Sequence, residues 1–217
     1  MKDNKNVTQK NLVLITSVIN TVNKPLSYFP HRSVYSKKER FEQTLKSIES
    51  VRKYMPNSYI YMIECSNDIE EEEEKLKQLV DTYVNCFHTK NVRDAVQSPH
   101  KGIGEMNFLL YFLNSFDKLP EFNHFFKISG RYRLNDKFNF DKFKDQKNIF
   151  KQSDGVFVTI FYKIDREFYD SFKKIMKSNI RNVISVEMIF KQNITEYKDI
   201  DYIGVEGNVF DGTFILQ

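Results

Sequence analysis

Residues 11–20, NLVLITSVIN, form a nearly continuous apolar run of strand length, and an amphipathic helix follows it. A strand that is apolar on both sides of its pleat must be covered on both faces, the condition of a parallel sheet flanked by helices. Over 36–55, SKKERFEQTLKSIESVRKYM puts Phe41, Leu45, Ile48 and Met55 on one helical face. Ser36 and Glu39 stand at capping-box spacing, and Pro56-Asn57 is the stop. Residues 58–66 read as a second strand, 67–83 as a helix with an acidic first turn burying Leu76, Leu79, Val80 and Tyr83, and 84–89 as a third strand. A polar loop to Ser98-Pro99 leads into a helix over 102–116, and 122–135 holds a fourth strand and its continuation. An aromatic and basic loop (136–151), a strand (155–164), a helix (165–179), the segment 184–194 and a terminal strand-turn region complete the chain. The expected fold class is α/β: one Rossmann-like domain over 1–217, with a mainly parallel central sheet and helices on both faces.

Composition narrows the function classes. A chain of 217 residues buries about 70% of its unfolded surface, so Cys65 and Cys86 need not pair and read as reduced core residues of a cytoplasmic protein. No apolar run reaches the roughly 20 residues of a membrane span, and the polar start MKDNKNVTQK lacks a secretion signal. A net charge of +4 favours anionic ligands but does not mark a nucleic-acid partner. Consecutive glutamates at 70–74 read as a solvated helix face. His31, His88, His100 and His124 share no ligand spacing, Cys65, Cys86 and His88 make no zinc pattern, and no P-loop, dinucleotide fingerprint or G-x-S-x-G elbow is present. No metal ligand is therefore assigned.

In an open parallel sheet, ligands bind beyond the carboxyl ends of the strands. The first strand ends at Thr16 and Ser17, and the second at Glu64-Cys65-Ser66. The helix near 102 opens as HKGIGEMN, where Lys101 and Gly102 would let free backbone N–H groups meet a phosphate. The fourth strand runs into Lys127, Ser129, Gly130 and Arg131. Cations at the end of a buried strand need an anion, either a diphosphate or a carboxylate such as Asp136 or Glu105. Arg40, early in the first long helix, is a further candidate for the phosphates.

The ordered segments LITSVIN, YMIECS, HKGIGEMN and FFKISGRYRLN resemble the GT-A class of glycosyltransferases, family 2 in particular, over roughly 11–135. The resemblance implies that Glu64 stands at the acid that binds the base, and Lys101, Gly102 and Asn107 at the glycine-containing helix start. It implies a UDP-, GDP- or dTDP-sugar donor bound by 11–135 and a glycan or protein acceptor bound by 136–217. Where the class carries its metal-binding D-x-D, this chain has Lys127-Ile128-Ser129-Gly130-Arg131-Tyr132; the literal Asp199-Ile200-Asp201 comes too late in the chain. That departure implies a branch working without metal, or with only weak use of manganese or magnesium, in which Lys127 and Arg131 neutralise the leaving diphosphate. A base for the acceptor hydroxyl is expected from the later region: Glu187 in ISVEMIF first, Asp154 second, Glu206 third. The alternatives are a transferase fold without turnover and a non-catalytic nucleotide- or single-strand-binding module using Phe138, Phe140, Phe143 and Phe150 between lysines, a patch diluted by Asp136, Asp141 and Asp145.

Overall fold

The computed structural model describes residues 11–115, 119 and 121–217. The reading of the first ten residues, and Phe116 at the end of the expected helix, lie outside them. In chain order the elements are β1 (Asn11–Ser17), α1 (Lys37–Tyr54), β2 (Ser58–Glu64), α2 (Glu70–Leu79), β3 (Thr82–Asn85), α3 (Lys90–Val96), α4 (Lys101–Asn114), β4 (His124–Ser129) and β5 (Tyr132–Leu134). Then come β6 (Ile149–Phe150), β7 (Gln152–Ser153), β8 (Val156–Phe157), β9 (Phe161–Asp165), α5 (Tyr169–Asn179), α6 (Val186–Asn193), β10 (Lys198–Asp199), β11 (Val205–Asn208) and β12 (Phe214–Leu216).

Seven strands form the main sheet in the order β10-β6-β9-β4-β1-β2-β3. β1 lies parallel to both β2 and β4, and β2 parallel to β3. β9 runs antiparallel between β4 and β6. The expected α/β sheet with helices on both faces is thus observed. On one side Val13, Ile15, Ile60 and Met62 meet Ile48, Val51 and Leu76 of α1 and α2. On the other, Leu12, Leu14 and Ile63 meet Met106, Leu109, Phe172 and Phe190 of α4, α5 and α6. Every residue of β1 is buried, as its apolar run requires.

The capping box at α1 forms as expected, with Ser36 and Glu39 exchanging bonds with each other's backbone. Three local expectations are corrected, and one segment read without an assigned element gains one. The helix expected over 67–83 ends at Leu79, because Asp81 accepts from the Ile60 N–H at 2.7 Å and from Arg52, holding the chain extended into β3. Leu79 is then exposed, and Tyr83 belongs to the strand. The polar loop before Pro99 contains a helix, α3, whose Val92, Ala95 and Val96 are buried. The segment 184–194 is also helical, with Ser185 capping α6. Finally, Phe138, Phe143 and Phe150 are core residues, with Phe138 and Phe143 stacked at 5.4 Å, so they offer no open stacking face for bases.

α3 packs closely on α4 at one glycine. A Cβ on Gly104 would meet the Val96 Cα at 3.0 Å. Gly104→Ala is expected to lower stability by about 1–3 kcal/mol through forced separation of the two helices. Urea unfolding would check this; an unchanged midpoint would show that the pair gives way freely.

Candidate active site

β1 lies between β2 and β4, so the chain winds outward in both directions from it, and a cleft opens beyond the shared carboxyl ends of these strands. The loops after β1 and β2 are sewn together there. Glu64 is fully buried, and its Oε1 accepts from the Ile19 N–H at 3.0 Å, the Cys65 N–H at 2.9 Å and the Ser66 hydroxyl. Burial pushes its carboxyl above the usual range, against those bonds. The Asn20 N–H donates to Ser66 Oγ at 2.9 Å. From β4, the Gly130 N–H donates to the Thr16 carbonyl at 2.9 Å, and Ser17 Oγ shares a hydrogen bond with Thr44 Oγ1 at 3.1 Å.

The cleft takes in about 940 Å³, its open mouth included. Thr16, Ser17, Arg40, Lys101, Ser129, Gly130 and Arg131 all line it. A second cleft of about 1040 Å³ adjoins it, lined by Gly102 and Glu187 among others. Lys101, Glu105, Ser129 and Arg131 line both and form the boundary between them. Sequence reasoning missed Arg32, Phe87 and Phe108 in the first cleft, and Tyr28 and Phe210 in the second. A lone arginine in the Pro-containing loop after β1 was the available signal for Arg32.

The boundary carries cations that the protein leaves unpaired. Lys101 Nζ and Arg131 Nη1 are buried atoms with no hydrogen-bond partner among the described residues. Lys101 Nζ lies 3.3 Å from the centre of the Phe210 ring, a favourable cationic contact, and Asp211 nearby attracts its charge. Burial, then repulsion from Arg131, Arg40 and Arg32, depresses its pKa to about 6. Arg40 is held down to about 9 by burial and by Arg131; its Nε donates to the Val18 carbonyl and its Nη1 to Ser33 Oγ at 3.3 Å. Arg32 donates to the carbonyls of Val96, Gln97 and Ser98 at the end of α3. Three guanidinium groups and a lysine whose protonation an anion would favour, at the mouth of a parallel sheet, are suited to an anion with several oxygens.

Other expected residues lie differently. Lys127 is completely buried and lines neither cleft; its ammonium donates to Glu105, to Ser129 Oγ at 2.8 Å and to the Thr159 carbonyl at 2.8 Å. Its charge is therefore met by the carboxylate on α4. Glu64 lines neither cleft, and its second oxygen is buried without a partner. Asp154 also lines neither cleft: it sits at positive φ with Gly155 in the turn joining β7 to β8. Glu206 pairs with Arg133 at 2.8 Å. Asn107 donates to the Ile103 carbonyl one turn back in α4. Glu187, in the first turn of α6, accepts from Thr159 Oγ1 at 2.7 Å and faces the second cleft.

A divalent metal does not fit this donor set. Lys127-Ile128-Ser129 stands where metal carboxylates would come, Glu105 is engaged by Lys127, and the remaining charges around the first cleft are Arg32, Arg40, Lys101 and Arg131. Among the described residues no group of three or more His, Cys, Asp or Glu is placed to hold a metal ion. No helix among them is long and apolar enough to cross a membrane.

No protein-family model and no curated protein matches the sequence. Solved structures do match the fold. The glycosyltransferase GlyE of Streptococcus pneumoniae TIGR4 aligns over 89% of this chain with a TM-score of 0.52 and 12% identity. This chain covers 45% of GlyE, less than half its length. The 4-diphosphocytidyl-2C-methyl-D-erythritolsynthase of Anaerococcus prevotii DSM 20548 aligns over 94% of this chain and 90% of its own, with a TM-score of 0.50 and 10% identity. At such identity the likeness is one of fold: the chain has the GT-A-like mixed α/β architecture, with a mainly parallel central sheet, that these structures share.

Proposed function

We propose that the protein transfers a sugar from a UDP-, GDP- or dTDP-type donor to a hydroxyl of a glycan or protein acceptor, using cations where related folds use a metal. The observation that carries this reading is the pair of unpaired buried cationic atoms, Lys101 Nζ and Arg131 Nη1, on the boundary between the two clefts. Residues 11–135 form the donor half, and 136–217 build the acceptor side together with Tyr28 and the start of α4. The nucleoside lies in the first cleft near Phe87 and Phe108, with its diphosphate against Lys101, Arg131 and Arg40. As the bond from the anomeric carbon to the diphosphate oxygen breaks, the electron pair leaves with that oxygen. Fixed cations at that point stabilise the developing charge. A bond forms from the acceptor oxygen to the anomeric carbon, and Glu187, oriented by Thr159, takes the hydroxyl proton.

A screen of UDP, GDP, CMP and dTDP, each with manganese and with chelator, tests the donor site. A nucleotide at 100 times its dissociation constant is expected to stabilise the fold by about 2.7 kcal/mol, with or without chelator. Stabilisation that depends on manganese would overturn the metal-free mechanism, and no shift with any nucleotide would overturn the donor site itself. Alignment over 94% of this chain and 90% of a 4-diphosphocytidyl-2C-methyl-D-erythritolsynthase supports nucleotidyl transfer as the second reading. Release of pyrophosphate from a nucleoside triphosphate, in place of nucleoside diphosphate from a sugar donor, would select it.

A further inference from the structure

The second cleft has a wall that folding alone does not explain. Among the described residues eight large apolar side chains are exposed, and three of them, Tyr28 at 61%, Val183 at 62% and Ile184 at 37%, line this cleft. A fourth, Met188 at 41%, directly follows Glu187 on α6. Ile184 precedes the Ser185 cap, where an apolar residue commonly packs on the first helical turn, yet it stays open, and Val183 has no such role. Tyr28 stands edge-on to Phe210 at 5.9 Å, making an aromatic corner on the same cleft. Lys101, Glu105 and Arg131 lie at the boundary with the donor cleft, Glu187 is the base assigned above, and Tyr28, Val183 and Ile184 add no charge. Exposed apolar side chains gathered on one concave site mark ligand contact. Even with its open mouth counted, the cleft takes in only about 1040 Å³, the scale of a small-molecule site.

We propose that this cleft takes an acceptor whose reacting hydroxyl is carried on a small neutral molecule with an apolar group, such as an alkyl or aryl glycoside, with that group lying against Val183, Ile184 and Tyr28. The proposal rests on the transferase reading above and specifies its acceptor. Continuity with the donor cleft at Lys101 and Arg131 places such a molecule beside the diphosphate, and Glu187 lines the same space.

The test is a calorimetric titration of the whole protein with 1-alkyl β-glucosides from methyl to hexyl, with and without nucleoside diphosphate. Affinity is expected to rise about two- to fourfold per added methylene. In the double variant Val183→Ser with Ile184→Ser, the series is expected to be flat. Both side chains are exposed, so the variant should fold, and stabilisation by nucleotide should persist in it. A flat series in the unaltered protein, or a slope retained in the double variant, overturns the acceptor assignment while nucleotide stabilisation still supports the donor site. A slope with no nucleotide effect at all overturns the transferase reading, and the acceptor role with it.

Discussion

Arg131→Ala is expected to lower kcat/KM for donor consumption by about 100- to 1,000-fold, the loss typical of removing one fixed charge-stabilising group at a transition state. Its melting temperature is expected to stay level or rise. The two effects oppose each other for one reason. In the free protein Arg131 Nη1 is buried without a partner, and the guanidinium repels both Arg40 and Lys101. Deleting it relieves that repulsion, while a bound diphosphate would use the same charge. Diphosphate-release assays and thermal unfolding on one preparation would separate these effects. A variant that loses stability and activity together would make Arg131 a structural residue and remove the central support for the donor site.

Donor binding is expected to weaken by up to tenfold per pH unit above neutrality and to level off near pH 6. Lys101 is depressed to about 6 in the free protein by burial and three neighbouring guanidinium groups. An anion set against it favours the charged form and raises its pKa. Between the free and bound values, binding takes up a proton, so affinity increases as pH falls until the free protein is itself protonated. The free fold responds in the opposite sense. Its Lys101 pKa lies below that of the unfolded chain, so from pH 6 upward the unfolded state holds the extra proton and stability rises with pH. Titrating an intact nucleotide-sugar, whose diphosphate has no titrating group in this range, across pH in two buffers of different ionisation enthalpy measures the uptake. An unchanged affinity would show that Lys101 does not contact the donor. Lys101→Met should abolish the slope.

Much of the scaffold was legible because burial on two faces leaves a plain mark. The apolar run at 11–20 and the Ser36–Glu39 cap place β1 and α1 within a few residues of where they lie. α3 was not legible. It has seven residues, of which only Val92, Ala95 and Val96 are buried, too short for helical periodicity to stand out from a polar loop. The direction of β9 was also hidden, since an apolar strand reads the same whichever way it runs. Within the site, Arg40 of α1, Lys101 at the start of α4 and Arg131 after β4 fall on one cleft. Lys127 shows the limit of such reasoning. Sequence offered it a diphosphate or Glu105, and only the packing of α4 on β4 brings Glu105 to its ammonium. The phenylalanines at 138–150 illustrate the same limit, because spacing in a loop does not reveal which side faces the core.

Arg32 reaches from the loop after β1 to three consecutive carbonyls at the end of α3. That contact ties the loop after β1 to the end of α3, both of which line the first cleft, into one brace. With the Glu64 and Gly130 bonds fixing its floor, the slot has a set gauge in place of a hinge. A ligand would be sorted by whether it fits that gauge on arrival, so discrimination among nucleobases would be exerted at entry, before any sugar is committed to transfer.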